Sequence, residues 1–257
     1  MAFTHIWNKF YLYRQKVALT GLLAMALLGG NTAAAQQKVN AMNKPGYDDR
    51  PVHYGFYLAL PLTKYNVQHS QPYADQLASG GDDAVNSQNS IGFYTGLVLN
   101  VRIADYLDAR FVPGVGFYGR TLVFENVETT IETPSTTMKE IMNNTMIELP
   151  VLLKYKAKRR SNIRPYIVAG VKPGIDLGKD NNGAVGNDEI ELRKESFDIA
   201  LEYGIGIDMF YPYFKFAPEL RFSHGLLNQH KPVIGSTYSD YIQKLTNHNV
   251  SLIFFFE

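Results

Sequence analysis

Strict alternation along the chain is the feature that most constrains its fold. From Phe197 to Met209 the odd positions are Phe197, Ile199, Leu201, Tyr203, Ile205, Ile207 and Met209. The even positions between them are Asp198, Ala200, Glu202, Gly204, Gly206 and Asp208. Side chains of a β-strand point alternately to its two faces, so one face here is hydrocarbon and the other polar. Phe214, Phe216, Leu220 and Phe222 alternate in the same way with Lys215, Ala217, Glu219, Arg221 and Ser223. So do Ile147, Leu149, Val151, Leu153 and Tyr155 with Glu148 and Lys154. A soluble sandwich has the same period, and glycine placement separates the two arrangements. Gly114, Gly116, Gly170, Gly174, Gly204 and Gly206 fall on the polar face, where a narrow interior needs room beside long charged chains. The bulky face is therefore the outer, lipid-facing one. The fold class this implies is all-β, a closed antiparallel up-and-down transmembrane β-barrel.

Turn signals divide the pattern into about eight strands: Val52–Leu60, Ser90–Ile103, Leu107–Phe124, Asn144–Lys156, Arg164–Leu177, Ser196–Met209, Tyr213–Leu226 and His248–Phe256. The connections alternate between long polar segments (61–89, 125–143, 178–195, 227–247) and short ones (104–106, 157–163, 210–212). Outer-membrane barrels are laid out this way, with short periplasmic turns, long external loops and both termini in the periplasm. The expected location is therefore the outer membrane, with outer-membrane lipid as one partner. Four prolines, Pro113, Pro150, Pro173 and Pro218, fall inside these strands. Each removes a ladder donor, so bulges are expected there.

The N-terminus reads as a secretory signal peptide over residues 1–35. Arg14 and Lys16 precede an apolar run from Val17 to Leu28, and Ala33-Ala34-Ala35 supplies small residues for cleavage. The alternative is a retained anchor, although the run is short for a membrane span. Residues 36–51 form a polar periplasmic lead and 52–257 the barrel. Removing Lys9, Arg14 and Lys16 takes the net charge from +1 to −2, a balance that argues against nucleic acid as a partner. The chain has no cysteine, so disulfides and thiolate metal sites are excluded.

About eight strands enclose an interior just wide enough for side chains to fill. The inward candidates are Tyr57, Tyr94, Arg110, Glu148, Lys154, Lys172, Asp198, Glu202, Lys215, Glu219 and Arg221. Their charges nearly balance, and a buried unpaired charge is costly, so they should pair across the lumen as a structural network. A conduit or proton path is the second reading, and a wide porin is excluded by strand number. Tyr106, Tyr155, Tyr166, Phe210, Tyr211, Tyr213, Phe254 and Phe256 cluster near the short-turn ends, with Phe93, Phe117, Tyr118, Phe197 and Phe222 toward the other. This reads as aromatic girdles, or as plain β-propensity. Glu257 departs from a terminal aromatic residue.

Catalytic and metal-binding patterns are sparse. The histidines (His5, His53, His69, His224, His230, His248) form no zinc spacing. Ser223 and His224 are strand neighbours and must face opposite ways. His230 near Asp240 is the candidate for a lipid-modifying site at the outer rim. The loop Lys179–Gly183 lacks calcium-loop spacing and reads as a solvated turn. No catalytic, cofactor or metal residues are assigned, and no cofactor is expected. Lys154, Lys156, Lys158, Arg159, Arg160 and Arg164 flank one short turn, either as a docking patch or as a solvated one.

Several segments resemble the outer-membrane β-barrels of Bacteroidota: Ile147–Tyr155 (IELPVLLKY), Arg164–Gly170 (RPYIVAG) and Pro218–Ser223 (PELRFS). Residues 43–56 (NKPGYDDRPVHYGF), with 238–241 and 249–257, are similar to the PorT family, called SprT in gliding bacteria. That resemblance implies an accessory component of the type IX secretion system, with other components of that system as partners and no catalytic residues. A general structural or adhesive barrel of the OmpA/OmpX type is the alternative, and an outer-membrane lipid-modifying enzyme a third reading.

Overall fold

A computed structural model describes residues 42–81, 83–125, 137–178, 193–233 and 237–257. The signal peptide, the first part of the lead and the Lys179–Gly183 loop lie outside the described residues. The strands are β1 (Val52–His69), β2 (Ala84–Gln88), β3 (Ser90–Ile91), β4 (Phe93–Ala104), β5 (Leu107–Phe111), β6 (Gly114–Glu125) and β7 (Thr137–Glu148). They continue with β8 (Val151–Lys156), β9 (Ile163–Asp176), β10 (Arg193–Lys194), β11 (Phe197–Phe210), β12 (Lys215–Gly225), β13 (His230–Lys231) and β14 (Ile242–Phe256). Among the described residues two short α-helices, α1 (Gln71–Ala78) and α2 (Thr237–Asp240), lie in the connections.

Eight antiparallel staves form a ring: β1, β4, β5 with β6, β7 with β8, β9, β11, β12 and β14. The ring closes where β14 pairs with β1 from Phe56↔Phe256 to His69↔Ile242. Closure removes the open edges that would otherwise expose unpaired backbone to lipid.

The expected bulges at the prolines do not occur. Pro113 separates β5 from β6 and Pro150 separates β7 from β8, yet the register passes both unchanged. Leu99↔Phe111 is followed by Gly96↔Gly114, and Phe111↔Val151 by Gly114↔Glu148. Pro173 and Pro218 pair without interruption with Ile199 and Phe254 on one side, and on the other side each leaves a two-residue gap across which the register is unchanged. The carbonyls of Pro113, Pro150 and Pro173 still accept, from Leu97, Val112 and Leu149 N–H, so these prolines forfeit only their own donation. At Pro150 the carbonyl accepts from Val112 N–H at 3.0 Å, and the Tyr94 hydroxyl donates to the Val112 carbonyl at 3.4 Å. That hydroxyl replaces the N–H proline lacks. The register shifts lie instead at strand ends, Gln68/His69 and Arg102/Ala104.

Bulky apolar residues face outward along every stave. Tyr54, Leu97, Leu153, Ile167, Leu201, Ile205 and Leu220 are exposed, while Glu202 and Arg221 are buried. On β1 the apolar set runs from Val52 to Leu62 and stops at Lys64. Ten residue steps of about 3.3 Å, tilted by roughly 40°, make a band about 25 Å tall, the usual height of the apolar belt of an outer-membrane barrel.

Above the band the polarity inverts. Lys64, Asn66 and Gln68 point out, while Tyr65, Val85, Leu122, Phe124, Tyr241, Ile242 and Leu245 form an ordinary hydrophobic core. Here the surroundings are water, so apolar side chains go inside. This is why β1 and β14 run well past the boundaries expected from sequence: Pro61 and the change of polarity read as a strand end, but the ladder continues. Segments 61–89 and 227–247, read as loops, therefore contribute strand to the barrel, and α1, β2 and β13 form a crown on its loop end.

Parity also corrects the aromatic assignment. Tyr106, Tyr155, Tyr211 and Tyr213 are exposed at the turn end. Tyr166 and Phe210 are buried in the lumen, as is Tyr118 toward the loop end. Their own strands put even positions inside. They are lumen residues and belong to neither girdle.

Candidate functional site: lumen and rims

The lumen is filled. An apolar layer of Ala59, Val98, Val112, Leu152, Val168, Ala217, Ile253 and Phe255 interdigitates with Tyr57, Tyr94 and Tyr166. Two glycines make this fit. A Cβ on Gly114 would lie 1.8 Å from the Tyr57 hydroxyl, and one on Gly206 would lie 2.4 Å from the Tyr166 ring.

Ion pairs run the length of this interior. Near the turn end Asp208 meets Lys154 at 2.7 Å, Arg164 at 3.0 Å and Lys215 at 3.8 Å. Lys215 also reaches Glu257 at 2.6 Å, and Arg110 bridges Glu257 at 3.6 Å and Glu219 at 2.8 Å. Glu219 holds Arg221 at 2.5 Å, Arg221 holds Glu202 at 3.3 Å, and Lys172 joins Glu202 at 3.4 Å to Glu148 at 3.0 Å. Arg110, Glu148, Lys172, Glu202, Lys215, Glu219 and Arg221 are thus all inward, buried and in one chain of contacts. Asp198 is buried beside it and accepts from Asn247 at 2.5 Å. A cavity among Arg120, Glu148, Lys172 and Asp198 has about 10 Å³ of free volume, room for about one water.

Sequence reading missed several members. Asp208, Arg120, Asn100, Asp108 and Glu257 are buried lumen groups, and strand parity marks each of them. Glu257 continues the inward series Ile253, Phe255. Its departure from a terminal aromatic places a carboxylate between Lys215 and Arg110, where Asn100 also donates to it at 2.7 Å. The basic turn cluster divides in two. Lys154, Lys156 and Arg164 are internal and paired with Asp208, Asp108 and Asp48. Lys158, Arg159 and Arg160 lie on the turn itself.

The described part of the lead covers the turn end. A 3-10 turn at Tyr47–Asp49 follows Gly46, whose φ of 77° favours glycine. Tyr47 stacks on His53 at 4.1 Å and donates to Glu257 at 3.3 Å, while Arg164 reaches Asp48 at 2.5 Å. Asn43 donates to the Phe210 carbonyl at 3.0 Å, and Arg159 lies over the Phe210 ring. Burial pushes the Tyr47 phenol well above its usual range.

At the loop end His230 Nε2 lies 3.0 Å from Ser239 Oγ, and the Val233 N–H donates to the same oxygen at 2.9 Å. Both side chains are buried and Asp240 is exposed. Burial lowers the His230 pKa against the raising effect of Asp240. The buried Ser239 oxygen, joined to both His230 and the Val233 backbone, ties the loop-end crown together. Ser223 faces the lumen and His224 faces out, where it contacts Tyr203 at 2.9 Å and His248 at 2.8 Å. Among the described residues no group of three metal-ligating side chains occurs.

Residues 34–231 match the family described as "Outer membrane protein beta-barrel domain". Among solved structures the chain is similar to Neisserial surface protein A, at 13% identity and TM-score 0.38, covering 80% of this chain and 97% of that one. It is similar to OprG of Pseudomonas aeruginosa, at 12% identity and TM-score 0.43, covering 79% and 93%. For Ail of Yersinia pestis the values are 9%, 0.35, 79% and 96%. No curated protein matches the sequence. With well over half its length matched, the chain belongs to the outer-membrane β-barrel domain family.

Proposed function

We propose that this outer-membrane barrel is a non-enzymatic assembly or scaffolding component of type IX protein secretion and gliding, acting through its rims. The observation that carries a rim-based role is the filled lumen. Ion pairs extend from Asp208 to Glu148 with an apolar layer between them, leaving no aqueous path for cargo among the described residues. The pathway itself rests on the PorT-like segments. Two of the three that carry that likeness, 43–56 and 249–257, meet at the β1–β14 seam, where Phe56 pairs with Phe256 and Tyr47 donates to Glu257. At this seam the lead closes the turn end, which faces the periplasm in this reading. The lumen charges serve as a structural brace.

Deleting the gene and assaying cargo secretion and gliding tests the proposal; normal secretion and gliding would refute it. The loop-end crown favours a second reading, a structural or adhesive barrel. It predicts that exchanging the crown segments changes surface binding and leaves secretion intact.

A further inference from the structure

We propose that the cleft between the lead and the start of β1 binds the phosphate headgroup of a membrane phospholipid. The cleft has a volume of about 350 Å³ and is lined by Lys44, Tyr47, Arg50, His53, Tyr54 and Glu257, among others. Three observations converge on this ligand.

First, two cations of the cleft stand outside the ion-pair network. Among the described residues neither Lys44 nor Arg50 forms an ion pair, whereas the neighbouring cations Lys215 and Arg164 do. Glu257 at the inner wall offsets them only in part, because its carboxylate is shared with Lys215 at 2.6 Å and Asn100 at 2.7 Å. Burial, then Lys215 and Arg50, lower the Lys44 pKa against the raising effect of Glu257.

Second, one lip of the cleft is the bilayer-facing wall of the barrel. Val52 and Tyr54 point outward on β1, and Tyr54 is 80% exposed. A soluble anion would gain nothing from that wall. A phospholipid seats its phosphate between Lys44 and Arg50 while its acyl chains lie along Val52 and Tyr54.

Third, the cleft is built by residues held in place. Tyr47 is fixed by His53 and Glu257, and the 3-10 turn sets the path of the lead. A pre-organised site spends little binding energy on ordering itself.

The test uses the full chain, folded and purified in dodecyl maltoside, with dioleoylphosphatidylglycerol as the probe. Native mass spectrometry should show one retained lipid. The Lys44→Gln/Arg50→Gln variant should lower its occupancy at least tenfold, and Lys158→Gln, on the turn outside the cleft, should leave it unchanged. In a second measurement on the wild type, the same lipid should protect Lys44 from acetylation and leave Lys158 reactive. This readout stands even if the double variant fails to fold. Wild-type occupancy in the double variant, or unchanged Lys44 reactivity, overturns the proposal. Saturation of the cleft by inorganic phosphate with no retained lipid also overturns it, since the site would then take a free anion.

Discussion

Neutralising Asp208 should unbalance the turn half of the lumen in a way the geometry specifies. In Asp208→Asn, Arg164 keeps Asp48 and Lys215 keeps Glu257, but Lys154 loses its only acidic partner within 4.0 Å among the described residues. Removing one member of a buried pair costs about 3–5 kcal/mol. Lys154 also lies 3.7 Å from the centre of the Tyr166 ring, a contact worth about 1–2 kcal/mol. The expected loss is therefore near the lower bound, about 3 kcal/mol, or roughly a hundredfold in the unfolding equilibrium. Lys154→Met leaves Asp208 with Arg164 at 3.0 Å and should cost about 1.5–3 kcal/mol. The double variant removes one charge of each sign. Its stability should fall within about 1 kcal/mol of Lys154→Met alone, a coupling of about 2–3 kcal/mol. Urea titration in dilauroylphosphatidylcholine vesicles, followed by far-ultraviolet circular dichroism and gel mobility, measures this. Fluorescence is unsuitable because the sole tryptophan, Trp7, precedes the barrel. Additive costs, within about 0.5 kcal/mol, would mean that the two charges do not sense each other. The dry, ion-paired lumen would then be wrong.

Further outcomes follow from other parts of the barrel. Tyr94→Phe should cost about 1 kcal/mol through the Val112 carbonyl it leaves unpaired, and almost nothing in a Pro150→Ala background, where the ladder donor returns; the same titrations compare them. Ile205→Arg, on the exposed apolar wall, should cost about 2–4 kcal/mol, seen as a lowered folded fraction in vesicles. Gly114→Ala should cost about 1–3 kcal/mol by displacing the Tyr57 ring, and Gly114→Ala/Tyr57→Leu should recover part of it. The crown should loosen as pH falls. The folded-state pKa of His230 is depressed by burial, so its contribution is complete above its ordinary value of 6.5 and is lost as pH drops through the lower folded value. Hydrogen exchange at 237–245 should quicken below that point in the wild type and much less in His230→Gln.

The sequence by itself determined the number of staves, through its turn signals, and the two faces of the staves together with part of the lumen, through alternation. A face depends only on the parity of a position within its strand, and parity is local. Arg110, Glu219 and Arg221 were legible for that reason; Asp208 and Glu257 were equally legible by parity and were overlooked. Parity says nothing about height along the axis. Which cation meets which carboxylate depends on the stagger between staves, a property of the closed ring. Only the tertiary structure therefore paired Lys154 with Asp208 and Arg110 with Glu219. The same limit hid the upper part of the barrel. Where the staves leave the lipid band the surrounding solvent changes, the polarity of each face reverses, and Leu62-Thr63-Lys64-Tyr65 reads as loop although it is strand. Docking of the lead at Glu257 likewise joins residues from opposite ends of the chain, and no local pattern encodes such a contact.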